Sequence, residues 1–130
     1  MAQPSRNDLA ALTRLAEENL DHVRVVRLES NSDRALWEVH GAYKNFDIRL
    51  KEVFTRSGRM YSYYILNQGE VVVGFDNYPD RRALQQKYAD DFKAHLFELI
   101  PHKHGPRKAT FELTEEMTLV AFLDYLHQHA

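Results

Sequence analysis

Residues 60–76, MYSYYILNQGEVVVGFD, decide the fold of this chain. Residues 60–66 are apolar or aromatic at almost every position, which is typical of a strand that is covered on both faces. Asn67-Gln68-Gly69 has the composition of a turn, and Gly69 suits the left-handed backbone position of a three-residue hairpin loop. Residues 70–76 then form the return strand. The stretch predicts a β-hairpin near the centre of a sheet.

Strands are also predicted on the N-terminal side of this hairpin. Residues 22–28 and 34–43 alternate apolar with polar side chains, and a third strand begins at Phe46. In that third strand the alternation is disturbed at Glu52 and Val53, which predicts a bulge or a sheet edge. The linking turns are short, whereas parallel strands need long crossover connections. We therefore predict an antiparallel meander.

Helices are predicted at the two ends of the chain. The first begins after Ser5 or Asn7, either of which is a good N-cap residue. The last is predicted to begin after Thr114, which precedes an amphipathic segment. Between them, residues 81–94 are compatible with a charged helix, and residues 95–100 read as a further short strand.

The predicted fold class is α+β, with an antiparallel meander sheet of about five or six strands and the two terminal helices packed on it. The 130 residues, 44% of them hydrophobic, predict a single domain over 1–130. With 17 basic and 19 acidic residues the net charge is −2, which excludes a global basic field for nucleic acid. The chain has no cysteine and no long apolar run, so we expect no disulfide, no membrane span and a cytoplasmic location.

Residues 100–106, IPHKHGP, are the main candidate for chemistry. The prolines disfavour a helix, and in extended backbone His102 and His104 point to one side while Lys103 points to the other. The two imidazoles can share acid and base work, bind a metal together with Asp76 or His95, or lie on a solvated loop. Phosphate-loop, dinucleotide and serine-hydrolase motifs are absent from the sequence.

RNA cleavage suits a pair of histidines, because the 2′-hydroxyl of the substrate is itself the nucleophile. One imidazole takes the 2′-OH proton and the other protonates the leaving 5′-oxygen, while Lys103 or an arginine neutralises the phosphorane. Asp76 either orients a histidine tautomer or simply makes a turn.

Other side chains are candidates for substrate contacts. Tyr63 lies in an aromatic strand that either stacks bases or belongs to the core. Arg81 and Arg82 are either phosphate contacts or the ordinary start of a charged segment. Asn77 follows Asp76 in a corner that also makes turns.

The region from about residue 61 to the C-terminus resembles the TumE family of toxins from type II toxin–antitoxin pairs. The matching pieces are YSYY at 61–64, VVVGFDNYP at 71–79 and IPHKH at 100–104, followed by an amphipathic C-terminal helix. The resemblance implies a growth-inhibiting ribonuclease that is neutralised by a cognate helix-turn-helix antitoxin. The residues that carry it are Asp76, Asn77, Pro79, His102, Lys103 and His104.

The leading hypothesis is therefore a toxin that cleaves RNA without a metal or other cofactor. Its predicted catalytic residues are His102, His104, Lys103 and Asp76, and its substrate contacts are Asn77, Tyr63, Arg81 and Arg82. The alternatives are a non-enzymatic module whose aromatic sheet docks a partner protein, and a metal-dependent nuclease using the same histidines. The sequence leaves a homodimer open.

Overall fold

The computed structural model describes residues 3–130. In this part of the chain seven strands form one antiparallel sheet, and each strand pairs with the next along the sequence. The α+β meander with helices at both ends is confirmed, and the sheet is slightly larger than predicted. The strands are β1 (Asp21–Ser30), β2 (Ala35–Tyr43), β3 (Phe46–Thr55), β4 (Gly58–Asn67), β5 (Glu70–Asp76), β6 (His102–His104) and β7 (Phe111–Leu113).

The helices are α1 (Arg6–Asn19), α2 (Arg81–Tyr88) and α3 (Leu119–His129). Helix α1 begins at the predicted N-cap Ser5, whose hydroxyl accepts the Asp8 N–H while Asp8 accepts the Ser5 N–H. Helix α3 begins later than predicted, because its N-cap is Thr118 and not Thr114. The Thr118 hydroxyl accepts the Ala121 N–H. None of the helices in residues 3–130 is long and apolar enough to cross a membrane.

The alternation of side chains gives the sheet one helix-covered face and one open face. On the covered face the buried side chains of β2 to β5 pack against α1 and α3, as the Tyr63–Phe122 ring contact at 5.3 Å shows. Their neighbours in sequence point to the opposite face, which α1 and α3 do not cover. The covered-face residues are Trp37, Val39, Ile48, Leu50, Tyr61, Tyr63, Ile65, Val73 and Phe75.

The central hairpin forms as predicted, with a loop one residue shorter. Asn67 still pairs with Glu70, so Gln68 and Gly69 make the turn, and both have positive φ angles of 52° and 83°. Left-handed backbone at both positions is the arrangement that suits the twist of a two-residue hairpin.

The predicted bulge at Glu52 and Val53 is wrong, because β3 pairs without a register shift on both sides. Glu52 instead lies on the covered face, only 3% exposed, where it accepts hydrogen bonds from Arg59 Nε at 2.9 Å and the Tyr63 hydroxyl at 2.8 Å. A buried ion pair, and not a change of register, explains the break in the pattern.

The charged segment after β5 is less regular than predicted. Helix α2 ends at Tyr88, where Ala89 has a φ of 52°, and a short 3₁₀ helix continues over Ala89–His95. Residues 96–101 do not form the predicted strand; extended pairing starts at His102. Ile100 is nevertheless anchored, since its N–H donates to the Asn77 carbonyl at 2.9 Å.

Candidate active site

Strand pairing brings Asp76, His102 and His104 together on the open face. Asp76 at the end of β5 lies directly opposite His102, and Gly74 lies opposite His104. Because alternate residues share a face, the three side chains point to the same side of the sheet. They are buried, with exposures of 6%, 1% and 4%. We call this group the Asp–His–His cluster.

The polar atoms of the cluster are in direct contact. The two Nε2 atoms of His102 and His104 lie 3.1 Å apart. Asp76 Oδ1 lies 3.2 Å from the His102 nitrogen, and Asp76 Oδ2 lies 3.5 Å from the His104 nitrogen. The sequence predicted that these side chains would share one space, and the strand register places them there.

Asp76 is held in place from its own side of the sheet. Its Oδ2 accepts the Tyr64 hydroxyl at 2.6 Å, and its Oδ1 accepts the Tyr78 N–H at 3.0 Å. Burial, together with this hydrogen bond to Asp76, raises the pKa of Tyr64 far above its ordinary value, so the phenol stays a donor. Tyr64 fits because Gly74 opposite has no side chain: a Cβ there would overlap the tyrosine ring.

His102 is oriented by the backbone. Its Nδ1 lies 2.5 Å from the Ile100 carbonyl oxygen, and since a carbonyl only accepts, Nδ1 carries a proton and donates it. The neutral ring therefore has its lone pair on Nε2, which faces the cluster.

His104 is buried without such a partner. Its Nδ1 is the one buried side-chain nitrogen or oxygen in residues 3–130 that has no hydrogen-bond partner. Burial lowers the pKa of His104, and the charge of Asp76 opposes this shift. The neutral imidazole is thereby favoured, which suits a proton acceptor or a metal ligand.

The cluster forms the wall of a solvent-open cavity of about 370 Å³. Lys51 and Lys108 bring positive charge to it, and Asp80 adds a second carboxylate whose Oδ2 lies 3.9 Å and 4.0 Å from the two Nε2 atoms. Asp80 is free to face the cluster with Oδ2 because its Oδ1 accepts the Ala83 N–H at the start of α2. The other lining residues are Ser62, Tyr64, Tyr78 and Pro79.

Lys51, Tyr64, Asp80 and Lys108 were not among the predicted site residues. Two of them could have been found from the sequence. Alternation along β3 and β4 puts Lys51 and Tyr64 on the face of the sheet to which Asp76 of β5 also points. Lys108, in contrast, reaches the cavity from the loop after β6, which no periodicity predicts.

Lys103 does not belong to the site, so the predicted role of this lysine as charge stabiliser is wrong. Its ammonium lies on the opposite face, 5.8 Å from the centre of the Phe75 ring, 5.4 Å from that of Tyr125 and 3.6 Å from Glu112. The cause is the alternation along β6, which puts neighbouring residues on opposite faces.

Tyr63 and Asn77, predicted as substrate contacts, do not line the cavity, and both side chains are bonded within the fold. Tyr63 is fully buried on the covered face, where its hydroxyl donates to Glu52. The Asn77 side chain is used entirely by the backbone of β4: its Oδ1 accepts the Tyr61 N–H at 2.9 Å and its Nδ2 donates to the Arg59 carbonyl at 2.8 Å. Asn77 thus positions the site by joining β4 to the Ile100 segment.

Neither Arg81 nor Arg82, the predicted phosphate contacts, lines the cavity. Arg81 lies over the Phe92 ring at 5.5 Å, and Arg82 lies over the Phe111 ring at 4.9 Å. His95, considered as a third metal ligand, instead stacks on Tyr88. Asp76 is the residue that joins the two histidines.

The chain matches no protein-family model, no curated protein and no solved structure. The resemblance to the TumE toxins therefore stays a prediction. The chemistry of the site must be argued from the cluster itself, which offers two imidazoles and the carboxylates beside them for proton transfer or for metal binding.

Proposed function

We propose that this protein is a toxin-like ribonuclease whose reaction takes place at the Asp–His–His cluster. The observation that carries the proposal is the burial of three titratable side chains, at 6%, 1% and 4% exposure, in the wall of a solvent-open cavity. Burying such groups costs stability, so their convergence on one cavity is typical of a functional site. The resemblance to the TumE toxins supports RNA as the substrate.

The cavity holds side chains of the kinds that RNA cleavage requires. A neutral imidazole accepts the proton of the 2′-hydroxyl, whose oxygen attacks phosphorus, and the 5′-oxygen leaves after it gains a proton. Lys51 and Lys108 are the two ammonium groups at the cavity, and they take the charge-stabilising role that Lys103 cannot fill.

The geometry also supports unequal roles for the two histidines in the proposed reaction. The attacking and leaving oxygens lie on opposite sides of phosphorus, whereas the two Nε2 atoms are only 3.1 Å apart. Acid and base work by both rings therefore requires one ring to move away. His102 is tied at Nδ1 to the Ile100 carbonyl, while His104 Nδ1 is free, so His104 is the ring that turns.

Partner docking through the aromatic strand, the non-enzymatic alternative, is not supported by the packing. Tyr61 and Tyr63 are fully buried against the helices, so they offer no free aromatic surface. A helix-turn-helix antitoxin remains part of the proposal as the partner of a toxin, and expression of the protein alone should arrest growth.

The direct test is cleavage of a structured RNA by the purified protein. We expect fragments with 2′,3′-cyclic phosphate ends and no cleavage of the matching DNA, which lacks the nucleophile. His104→Gln should abolish cleavage. His127→Gln, a change of an exposed histidine on α3, is the matched control and should leave it intact. Unchanged activity in His104→Gln would refute the assignment.

A further inference from the structure

We infer that the Asp–His–His cluster binds a divalent first-row transition metal ion, with Asp76, His102 and His104 as ligands and Asp80 as a fourth donor at the same cavity. This inference goes beyond the proposed ribonuclease activity, because binding of the ion is measured without RNA. An ion held by both Nε2 atoms would occupy the lone pairs that acid–base work by the histidines requires, so the metal-bound cluster and the acid–base mechanism are alternative states of the same residues. The inference rests on distances, on which ring nitrogens carry a proton, and on the contacts that orient Asp76 and His102.

The distances within the cluster are those of atoms that share a metal ion. A tetrahedral ion with bonds of about 2.0–2.1 Å keeps its ligand atoms roughly 3.3–3.4 Å apart. The two Nε2 atoms lie 3.1 Å apart, and Asp76 approaches His102 with Oδ1 at 3.2 Å and His104 with its other oxygen, Oδ2, at 3.5 Å. One ligand atom from each side chain lies within 4.8 Å of the others, so an ion requires one Asp76 oxygen and the two nitrogens to move closer together.

With both imidazoles neutral, the cluster has more lone pairs than protons to separate them. His102 uses its Nδ1 proton on the Ile100 carbonyl, so in the neutral ring Nε2 presents a lone pair. That lone pair faces both His104 Nε2 at 3.1 Å and a carboxylate oxygen of Asp76 at 3.2 Å. A proton on His104 Nε2 can be donated to the His102 lone pair, which satisfies the first contact. In the second contact the His102 nitrogen and the Asp76 oxygen then face each other as two acceptors. A cation at the centre satisfies all three side chains.

The contacts around the cluster are those that orient metal ligands. A metal-bound histidine usually donates its other ring N–H to a carbonyl or carboxylate, as His102 does to Ile100. The ligating carboxylate is usually hydrogen-bonded as well, and Asp76 accepts the Tyr64 hydroxyl and the Tyr78 N–H.

The donor set selects the class of metal. Imidazole nitrogens with carboxylate oxygens suit Zn²⁺, Mn²⁺, Fe²⁺ or Co²⁺, whereas Mg²⁺ and Ca²⁺ prefer oxygen ligands alone. The three ligands of the cluster leave one coordination position of a tetrahedral ion, which Asp80, water or a phosphate oxygen can occupy from the open cavity. An ion there would also offset the negative charges of Asp76 and Asp80, which otherwise oppose a phosphate.

The test is a titration of the full-length protein with Co²⁺ after treatment with EDTA and desalting. We expect visible absorption bands that saturate at one Co²⁺ per chain and disappear on addition of Zn²⁺. His104→Gln and Asp76→Asn should weaken Co²⁺ binding by at least about 100-fold, and Tyr64→Phe, which removes only an outer contact, by roughly 10-fold. Mg²⁺ should produce no comparable binding in calorimetry.

His95→Gln is the matched control, because this histidine also lies against two carboxylates, Asp91 at 3.4 Å and Glu98 at 3.2 Å, but outside the cluster. Its Co²⁺ binding should equal that of the unchanged protein. Absence of Co²⁺ and Zn²⁺ binding, or binding that survives His104→Gln, would overturn the inference. If His104→Gln does not fold, the Tyr64→Phe variant decides the matter by the same titration.

The outcome for the metal and the outcome for the proposed ribonuclease are separable. Cleavage of RNA by EDTA-treated protein that binds no Co²⁺ would refute the metal site and leave the ribonuclease standing. Saturable Co²⁺ binding at the cluster without RNA cleavage would establish the metal site and refute the ribonuclease.

Discussion

Gly74→Ala is expected to dislodge Tyr64 from the site. Gly74 on β5 pairs with Tyr64 on β4, and a Cβ at Gly74 would overlap ring atoms of the tyrosine. Because the nearest ring atom would lie well inside van der Waals contact with this Cβ, either the surrounding backbone must shift or the ring must turn away. If it turns, its hydroxyl leaves the 2.6 Å hydrogen bond to Asp76.

The magnitude follows from the cheaper of these two responses. Overpacking a tight site costs about 1–3 kcal/mol, and losing a hydrogen bond to a charged group costs about 1.5–3 kcal/mol. Replacing a glycine within a strand by alanine returns about 0.5–1 kcal/mol of chain entropy. We therefore expect Gly74→Ala to lower the free energy of unfolding by about 1–2 kcal/mol.

Urea denaturation of four proteins checks this: the unchanged chain, Gly74→Ala, Tyr64→Ser and the double variant. Without the ring the nearest obstacle to the added methyl group is gone, so in the Tyr64→Ser background Gly74→Ala should raise the free energy of unfolding by about 0.5–1 kcal/mol. Gly41→Ala, at another strand glycine whose Cβ would lie 3.2 Å from Leu20, is the control and should cost the same in both backgrounds. An equal cost of Gly74→Ala in both backgrounds, within about 0.5 kcal/mol, would refute the reasoning.

Three further predictions test the placement of charges. Lys51→Ala should slow single-turnover RNA cleavage about tenfold, which corresponds to ~1.4 kcal/mol in the activation barrier. Lys103→Ala, on the opposite face of the sheet, should leave the rate within about twofold. A larger loss of rate in Lys103→Ala than in Lys51→Ala would contradict the assignment. Burial raises the pKa of Tyr64 above the unfolded value of about 10, so the stability that it contributes is present below about pH 10 and lost as the pH rises further. Tyr64→Phe should accordingly remove no tyrosinate absorbance below about pH 11 in the folded protein, and a smaller signal in this variant would disprove the shift. Arg59→Met should lower the free energy of unfolding by about 3–5 kcal/mol in thermal or urea denaturation, because it leaves the buried Glu52 carboxylate without its positive partner. The Glu52→Leu, Arg59→Met double variant should recover this stability. If it does not, the ion pair is not the source of the loss.

Much of the fold could be predicted because its signals are local. Alternation of apolar and polar side chains gives strands, the Gln68-Gly69 turn gives the central hairpin, and short turns allow only antiparallel neighbours. Ser5 as a helix cap depends only on residues within one turn. The predicted bulge at Glu52 was wrong because the partner of Glu52 is Arg59 on the next strand. The alternation within one strand gives no information about such a partner.

Part of the site was also within reach of the sequence. A period of two places His102 and His104 on one side and Lys103 on the other, and the structure has this arrangement. The same rule would have excluded Lys103 as a charge stabiliser and favoured Tyr64 over Tyr63 as the tyrosine near Asp76.

The sequence by itself determined which residues share a face of each strand, because that depends only on backbone geometry. Only the tertiary structure decided that Asp76 meets the histidines. Strand β6 is three residues long, so its sequence does not indicate which strand it pairs with. Its alignment depends on the hydrogen bond from the Ile100 N–H to the Asn77 carbonyl, which joins residues more than twenty positions apart. Lys108 enters the cavity in the same way, from the loop after β6 to a cavity that β3, β4 and β5 also line. Such contacts depend on the packing of the whole sheet, which local sequence does not encode.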